Sequence, residues 1–287
     1  MPPTRCKSGM EDSLKKHVTQ HLQVRGRAVR LADWNPSATP GCTDKDEAAK
    51  RLVRNLARID AQQYRRFAEA RRSLLIVLQG MDTSGKDGLI RKVMTVFNPQ
   101  GCRVWPFKVP TTEEAAHDFL WRIHRAAPAR GEVSIFNRSH YEDVLVVRVH
   151  DLVPRKVWSR RYKTINAFER HLHVHGTKVI KLFLHISRKA QQERLLARLD
   201  DPLKRWKFSE ADLAERNHWR AYQRAYEEAL ARCSTGHAPW YVIPADNKWY
   251  RDLAVSEIVA DTLEEMDPKL PRVKLDVKGL RTRLLAS

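Results

Sequence analysis

The run Gly80-Met81-Asp82-Thr83-Ser84-Gly85-Lys86-Asp87 has the spacing GxxxxGK. Glycines at such positions let backbone N–H groups turn inward on phosphate oxygens, a following helix adds its positive end, and the lysine supplies a mobile cation. The chemistry implied is phosphate binding and phosphoryl transfer, with Gly80, Ser84, Gly85, Lys86 and Gly88 as the cradle. Ordinary loops of this kind place Ser or Thr after the lysine to hold Mg²⁺. Here Asp87 stands in that place, and Asp82 adds a second carboxylate inside the loop. Carboxylates repel phosphates unless a cation intervenes, so Asp82 and Asp87 are candidate metal ligands. A carboxylate favoured by the helix dipole is the competing account of Asp87.

A second cluster, Ile135-Phe136-Asn137-Arg138-Ser139-His140-Tyr141-Glu142-Asp143, begins in an apolar run and ends in polar groups. It occupies the place of a Walker B acid. Arg138 suits bidentate phosphate binding, Glu142 and Asp143 suit a metal or the acceptor, and Asn137 joins them on the nucleotide side. An N-cap with a solvated first turn has the same composition, so the cluster draws its weight from its pairing with the loop. His140 reads as a packing or capping residue. Further on, Arg194 and Arg198 lie four apart on one helical face, where two guanidinium forks can clamp a phosphate chain. Lys204-Arg205-Trp206-Lys207 extends the cationic strip. Asp200 and Asp201 offset part of its charge, and a solvated basic face is the alternative reading.

These residues need a scaffold. Ser73–Gly80 is a short apolar run closed by glycine, which suits a strand buried on both faces. Glu132–Phe136, Val179–Ile186 and Trp240–Pro244 read alike, with helical stretches between them. The alternation predicts an α/β core with a parallel sheet and a site beyond the strands' carboxyl ends. Leu52, Leu56, Ile59 and Phe67 recur at near-helical spacing and predict one helix over Lys45–Arg72. Another helical pattern runs from Gly88 to Val96. Residues 187–226 read as a helical hairpin over the site, broken at Asp201-Pro202. Residues 1–44 are expected to form a flexible basic extension, 45–268 the phosphotransferase domain, and 269–287 a basic tail.

Composition limits the partners. The chain has 287 residues, 42% hydrophobic and 30% charged, which is a globular profile. Lys and Arg outnumber Asp and Glu by 53 to 34, and a net charge of +19 invites a polyanion. Composition alone favours nucleic acid. Eight Trp and seven Tyr are not interleaved with the basic strip as a base-stacking platform would require. No apolar run reaches the roughly 18 residues of a membrane span, and the first residues lack the apolar stretch of a signal peptide, so a cytoplasmic protein is expected. Cys6, Cys42, Cys102 and Cys233 are scattered, without the spacing of a zinc site or a disulfide framework.

Taken together the motifs strongly resemble the family-2 polyphosphate kinases, over roughly Arg71 to Leu263. The marks are Gly80–Asp87 with Gly88, Phe136–Val144, Leu199–Phe208 and Ala238–Pro244. The resemblance implies a three-layer P-loop kinase-like core, similar to thymidylate kinase, with a parallel sheet flanked by helices and a helical lid. It implies Mg²⁺, with Mn²⁺ as a substitute, inorganic polyphosphate and AMP, ADP and ATP as partners, and assembly as a homodimer or homotetramer. It sets Asp82, Lys86, Arg138, Arg194 and Arg198 around the transferring phosphates and links Asp82, Glu142 and Asp143 to metal and catalysis. The form NRSHYED is most similar to the class accepting both AMP and ADP. Thr83-Ser84 replaces the Ala or Gly usual in that loop, which leaves the nucleotide preference open. The expected reaction is in-line phosphoryl transfer between polyphosphate and AMP or ADP. The rivals are an ATP-dependent nucleotide kinase and a protein that binds nucleic acid or another polyanion.

Overall fold

Among the described residues the sheet has five strands: β1 (Ser73–Gly80), β2 (Cys102–Pro106), β3 (Val133–Asn137), β4 (Thr177–His185) and β5 (Trp240–Pro244). The computed structural model describes residues 18–19, 21–26 and 28–287. All strand pairs are parallel, in the order β2-β3-β1-β4-β5. β1 is central and buried along its whole length, as its unbroken apolar run requires. β3 and β4 fall within two residues of their predicted bounds. β2 was not predicted: it is an edge strand whose side chains are exposed or half-buried, so it carries no apolar run.

Parallel neighbours need crossover helices, and these cover both faces. On one face lie α1 (Lys45–Glu69) and α2 (Lys86–Lys92) with α10 (Lys248–Glu265), while α4 (Trp121–Ala126), α6 (Arg155–Val174) and α9 (Trp219–Cys233) cover the other. The short helices α3 (Thr112–Ala116) and α5 (Val146–Val149) fill connections. The result is the expected three-layer, P-loop kinase-like α/β core.

Asp44 caps α1 by accepting from the Asp46 and Glu47 amides, and Ala70, at φ 50°, ends it before Arg72. Its packing differs from its apolar periodicity. Ile59 is buried but Phe67 is 46% exposed, while Asn55, Gln63 and Arg66 are buried. The partners explain this: α10 presents Ser256, Glu257 and Asp261, so Asn55 donates to Ser256 and Arg51 and Arg58 pair with the acids, while Gln63 accepts the Asn98 amide and Arg66 donates to the Glu132 carbonyl.

The segment 1–44 also differs from a flexible extension where it is described. Val18, Leu22, Val24 and Leu31 are buried in the core. Gln23 pairs antiparallel with Tyr241, and the Val24 amide donates to the Trp240 carbonyl at 2.8 Å. Hydrogen bonding to the outer edge of β5 holds this stretch down and covers an open sheet edge. Residues 1–17 lie outside the described residues. In the 269–287 tail, α11 (Val277–Leu285) buries no side chain. Cys42, Cys102 and Cys233 are free thiols.

Above the carboxyl ends of the strands, α7 (Arg188–Asp200) stops at Asp201-Pro202, as expected. A 3-10 turn over Arg205–Lys207 leads to α8 (Glu210–Asn217), which is started by a capping box between Ser209 and Asp212.

Candidate active site

The loop after β1 is built around two glycines. A Cβ at Gly80 would lie 2.6 Å from Ser84 Oγ and 2.8 Å from the Leu184 carbonyl, so only glycine fits beside β4. Gly85 sits at φ 97° as the N-cap of α2, a left-handed conformation suited to glycine. The Lys86 ammonium folds back on the loop, donating to the Gly80 carbonyl at 2.7 Å and lying 3.3 Å from that of Met81 and 3.4 Å from Ser84 Oγ. Burial, with the charge of Arg138, pushes this lysine down to about 8, against the opposing pull of Asp82, Glu142 and Asp87.

The second cluster meets the loop because β3 lies beside β1, with Leu78 opposite Asn137. Asn137 Nδ2 donates to Asp87 Oδ1 at 3.0 Å, and Arg138 Nη2 donates to Asp82 Oδ1 at 3.0 Å. Both loop carboxylates are therefore held at the same turn. Arg138 has φ 64°, an uncommon backbone for a residue with a side chain. Below it, Gln79 Nε2 donates to Ser139 Oγ, which accepts the Tyr141 amide, and Tyr226 donates to Gln79 Oε1. Burial pushes the Glu142 carboxyl up, opposed by Arg138 and Lys86. Asp143 turns elsewhere: its Oδ1 accepts from Arg161 at 3.0 Å, and burial raises it to about 6. Neither Glu142 nor Asp143 lines the cleft over the loop.

His140 is a packing residue, fully buried with Nε2 3.3 Å from Glu169 Oε1. Glu169 also accepts from Tyr141 at 2.9 Å and from Lys181 at 2.5 Å. This ion pair has no exposed edge.

The cleft encloses about 520 Å³. Asp82, Lys86, Asp87, Asn137 and Arg138 line one side, and Arg194, Arg198, Lys204 and Lys207 reach in from the lid. Among the described residues eight cations face three carboxylates there, so the cavity favours an anion of several charges. Arg205 is not among the lining residues and donates instead to the Leu199 carbonyl at 2.7 Å. Arg194 faces the cleft, yet its nitrogens bind the carbonyls of Thr83 at 2.9 Å, Asp246 at 3.0 Å and Ala245. Arg198 pairs with Asp212 at 3.5 Å. Asp212, Lys248 and Arg251 complete the lining and belong to no motif in the sequence. Lys248 and Arg251 stand in the first turn of α10, just past β5, and the rule that ligands bind beyond strand ends is the signal that points to them.

Among the described residues no group of three or more His, Cys, Asp or Glu forms a self-sufficient metal site. Mg²⁺ commonly takes one or two carboxylates and completes its shell with water and substrate phosphates. The hard oxygens of Asp82 and Asp87, both lining the cleft, fit that pattern.

A GxxxxGK loop at the carboxyl end of a central parallel strand, under a cationic lid, defines a P-loop phosphotransferase of the kinase type. Residues 42–271 match the family described as polyphosphate kinase 2. The chain is 51% identical over 252 residues to the AMP/ADP-polyphosphate phosphotransferase of Meiothermus ruber, covering 88% of this chain and 94% of the relative. It is 42% identical over 269 residues to the ADP-polyphosphate phosphotransferase of Rhodopseudomonas palustris, covering 89% and 93%. The crystal structure of polyphosphate kinase 2 from Arthrobacter aurescens is similar with a TM-score of 0.92 and 42% identity, covering 95% of this chain and 98% of that one. The chain belongs to the polyphosphate kinase 2 family. Kinase-type phosphotransferases of this sort generally use a divalent metal. No helix among the described residues is long and apolar enough to cross a membrane.

Proposed function

We propose that the protein transfers phosphoryl groups between inorganic polyphosphate and AMP or ADP, forming ADP and ATP, and that the reaction also runs in reverse. The observation that carries this reading is the cleft itself, where loop carboxylates and an excess of cations face one another across the phosphate cradle. An ATP-dependent nucleotide kinase needs charge for about four phosphates, three on ATP and one on a nucleoside monophosphate. A long polyanion gives the wider cationic strip of Arg198, Lys204 and Lys207 a role. The relatives' activities point the same way.

In this reading Gly80, Ser84, Gly85, Lys86 and Gly88 hold the phosphates at the transfer point, and the lid cations hold the rest of the chain. Arg138 lies between Asp82 and the nucleotide, with Asn137 beside it and Glu142 beneath. An acceptor phosphate oxygen is already ionised at neutral pH and attacks the terminal phosphorus in line. The phosphoanhydride P–O bond breaks, and its electron pair leaves with the shortened chain. Lys86 and Arg138 neutralise charge on the transferring group, so positioning and electrostatics supply most of the rate. Asp82 and Asp87 would hold Mg²⁺, whose chemistry when bound is to offset negative charge on the phosphates. Assembly as a homodimer or homotetramer belongs to the same reading and is checked by sedimentation.

The test is ADP and ATP formation from AMP, long-chain polyphosphate and Mg²⁺, with Lys86→Ala and a reaction without polyphosphate as controls. Product that requires both polyphosphate and Lys86 supports the reading, and the ratio of ADP to ATP reports the preferred acceptor. A folded protein that makes no product in either direction, yet phosphorylates a nucleotide from ATP, would replace it with the ATP-dependent kinase.

A further inference from the structure

A phosphate cradle works only if the loop's N–H groups point inward, and because the peptide unit is planar and trans, its carbonyls must then point outward. In this structure five of those carbonyls are held by side chains. Lys86 takes those of Gly80 and Met81. Gln191 takes Asp82 at 3.1 Å, Arg194 takes Thr83 at 2.9 Å, and Arg251 takes Gly85 at 3.2 Å. The last contact bears most directly on phosphate, since the Gly85 carbonyl, which also accepts the Leu89 amide at 2.9 Å as the first bond of α2, shares a peptide plane with the Lys86 N–H. That N–H opens α2 and has no acceptor within the helix.

Arg251 is built to be immobile. It lies in the buried part of α10 and is 3% exposed. Its Nε and Nη2 both donate to Asp252 Oδ1, at 2.9 and 2.6 Å, which fixes the guanidinium plane and leaves Nη1 for Gly85. The space is also matched. A Cβ at Gly85 would fall 2.0 Å from Arg251 Nη1, whereas one at Gly88 would meet Arg251 at an ordinary 3.7 Å. Gly85 is thus required by its φ of 97° and again by the guanidinium beside it.

We propose that Arg251 is a positioning residue for phosphate capture: together with the Leu89 amide it holds the Gly85 carbonyl outward, so that the Lys86 N–H is aimed into the cradle. The inference rests on the phosphotransferase reading for its substrate but not for its geometry. A lysine at 251 keeps the charge and loses the planar fork, so it cannot grip Asp252 and Gly85 together.

The experiment compares wild type, Arg251→Lys, Arg251→Met and the double variant Arg251→Met/Asp252→Asn, which leaves no buried unpaired carboxylate. Polyphosphate affinity is measured by calorimetry, turnover by KM and kcat, and the Lys86 amide by its NMR shift on adding polyphosphate. Expected are a roughly tenfold or greater weakening of polyphosphate binding in all three variants and loss of the Lys86 amide shift. Unchanged melting of the double variant would separate this from unfolding. Arg251→Lys that binds and turns over like wild type, with its Lys86 shift intact, would overturn the inference and reduce Arg251 to a general charge. If wild type binds polyphosphate but transfers nothing, the proposed reaction fails, and the binding and NMR comparison alone decides the role of Arg251.

Discussion

Lys86 should give the enzyme a pH dependence that differs between free and loaded states. Burial lowers its ammonium from 10.5 to about 8. At 1.36 kcal/mol per pH unit that displacement corresponds to roughly 3 kcal/mol of disfavoured charge in the empty site. One phosphate charge at about 4 Å, with an effective dielectric near 20, returns about 4 kcal/mol, enough to restore the lysine to its ordinary range. The protonated form is the active one. In the free enzyme it is lost as pH rises through about 8, so kcat/KM should fall about tenfold per unit above that point while kcat stays flat. Binding at pH 8.5 should take up about three-quarters of a proton more in wild type than in Lys86→Met, and only about a tenth more at pH 7. Subtracting the variant cancels titration of the polyphosphate itself. Calorimetry in buffers of different ionisation enthalpy measures the uptake. A flat kcat/KM up to pH 9.5, or equal uptake in the two proteins at pH 8.5, would refute the reasoning. The stability consequence has the opposite sense: between about 8 and 10.5 the unfolded lysine holds the proton that the folded one has lost, so stability rises with pH across that window, and Lys86→Met abolishes the rise.

Lys181→Met should cost about 3–5 kcal/mol in denaturant unfolding, because it strands Glu169 as a buried unpaired carboxylate, and adding Glu169→Gln should recover much of that; a fully stable single variant would rule out an ionic cluster. Arg138→Lys should lower kcat about tenfold or more with the fold intact, since a single ammonium cannot both pair with Asp82 and fork a phosphate; kcat within twofold of wild type would remove Arg138 from the transfer step. Leu22→Ala should cost about 2–5 kcal/mol as a core cavity would, whereas a residue in a loose arm would cost nothing measurable.

Local pattern carried a great deal here. β1 and β5 appear at their predicted bounds because strands buried on both faces leave unbroken apolar runs, and the break at Asp201-Pro202 follows from what proline does to a helix. The GxxxxGK loop, its carboxylates and the basic segment after β4 stand out in the sequence for the same reason, each being a short run, and the fold brings most of them to one cleft. What the sequence could not decide was partnership. The edge strand β2 has no apolar signature, and α1 buries Asn55 against Ser256 of α10 and Arg66 against the Glu132 carbonyl while Phe67 stays exposed. Adjacent acids look alike in sequence, yet Asp143 is turned to Arg161 while Glu142 shares the field of Lys86 and Arg138. Arg194 reads as a phosphate clamp by helical spacing, but three backbone carbonyls that converge only in the folded chain take its nitrogens. Arg251 lies 166 residues from Gly85 along the chain, and no local spacing records that contact. Motifs are set by the chemistry of neighbours in sequence; the hydrogen bonds that aim them are set by neighbours in space, which only the packing of the sheet and its helices brings together.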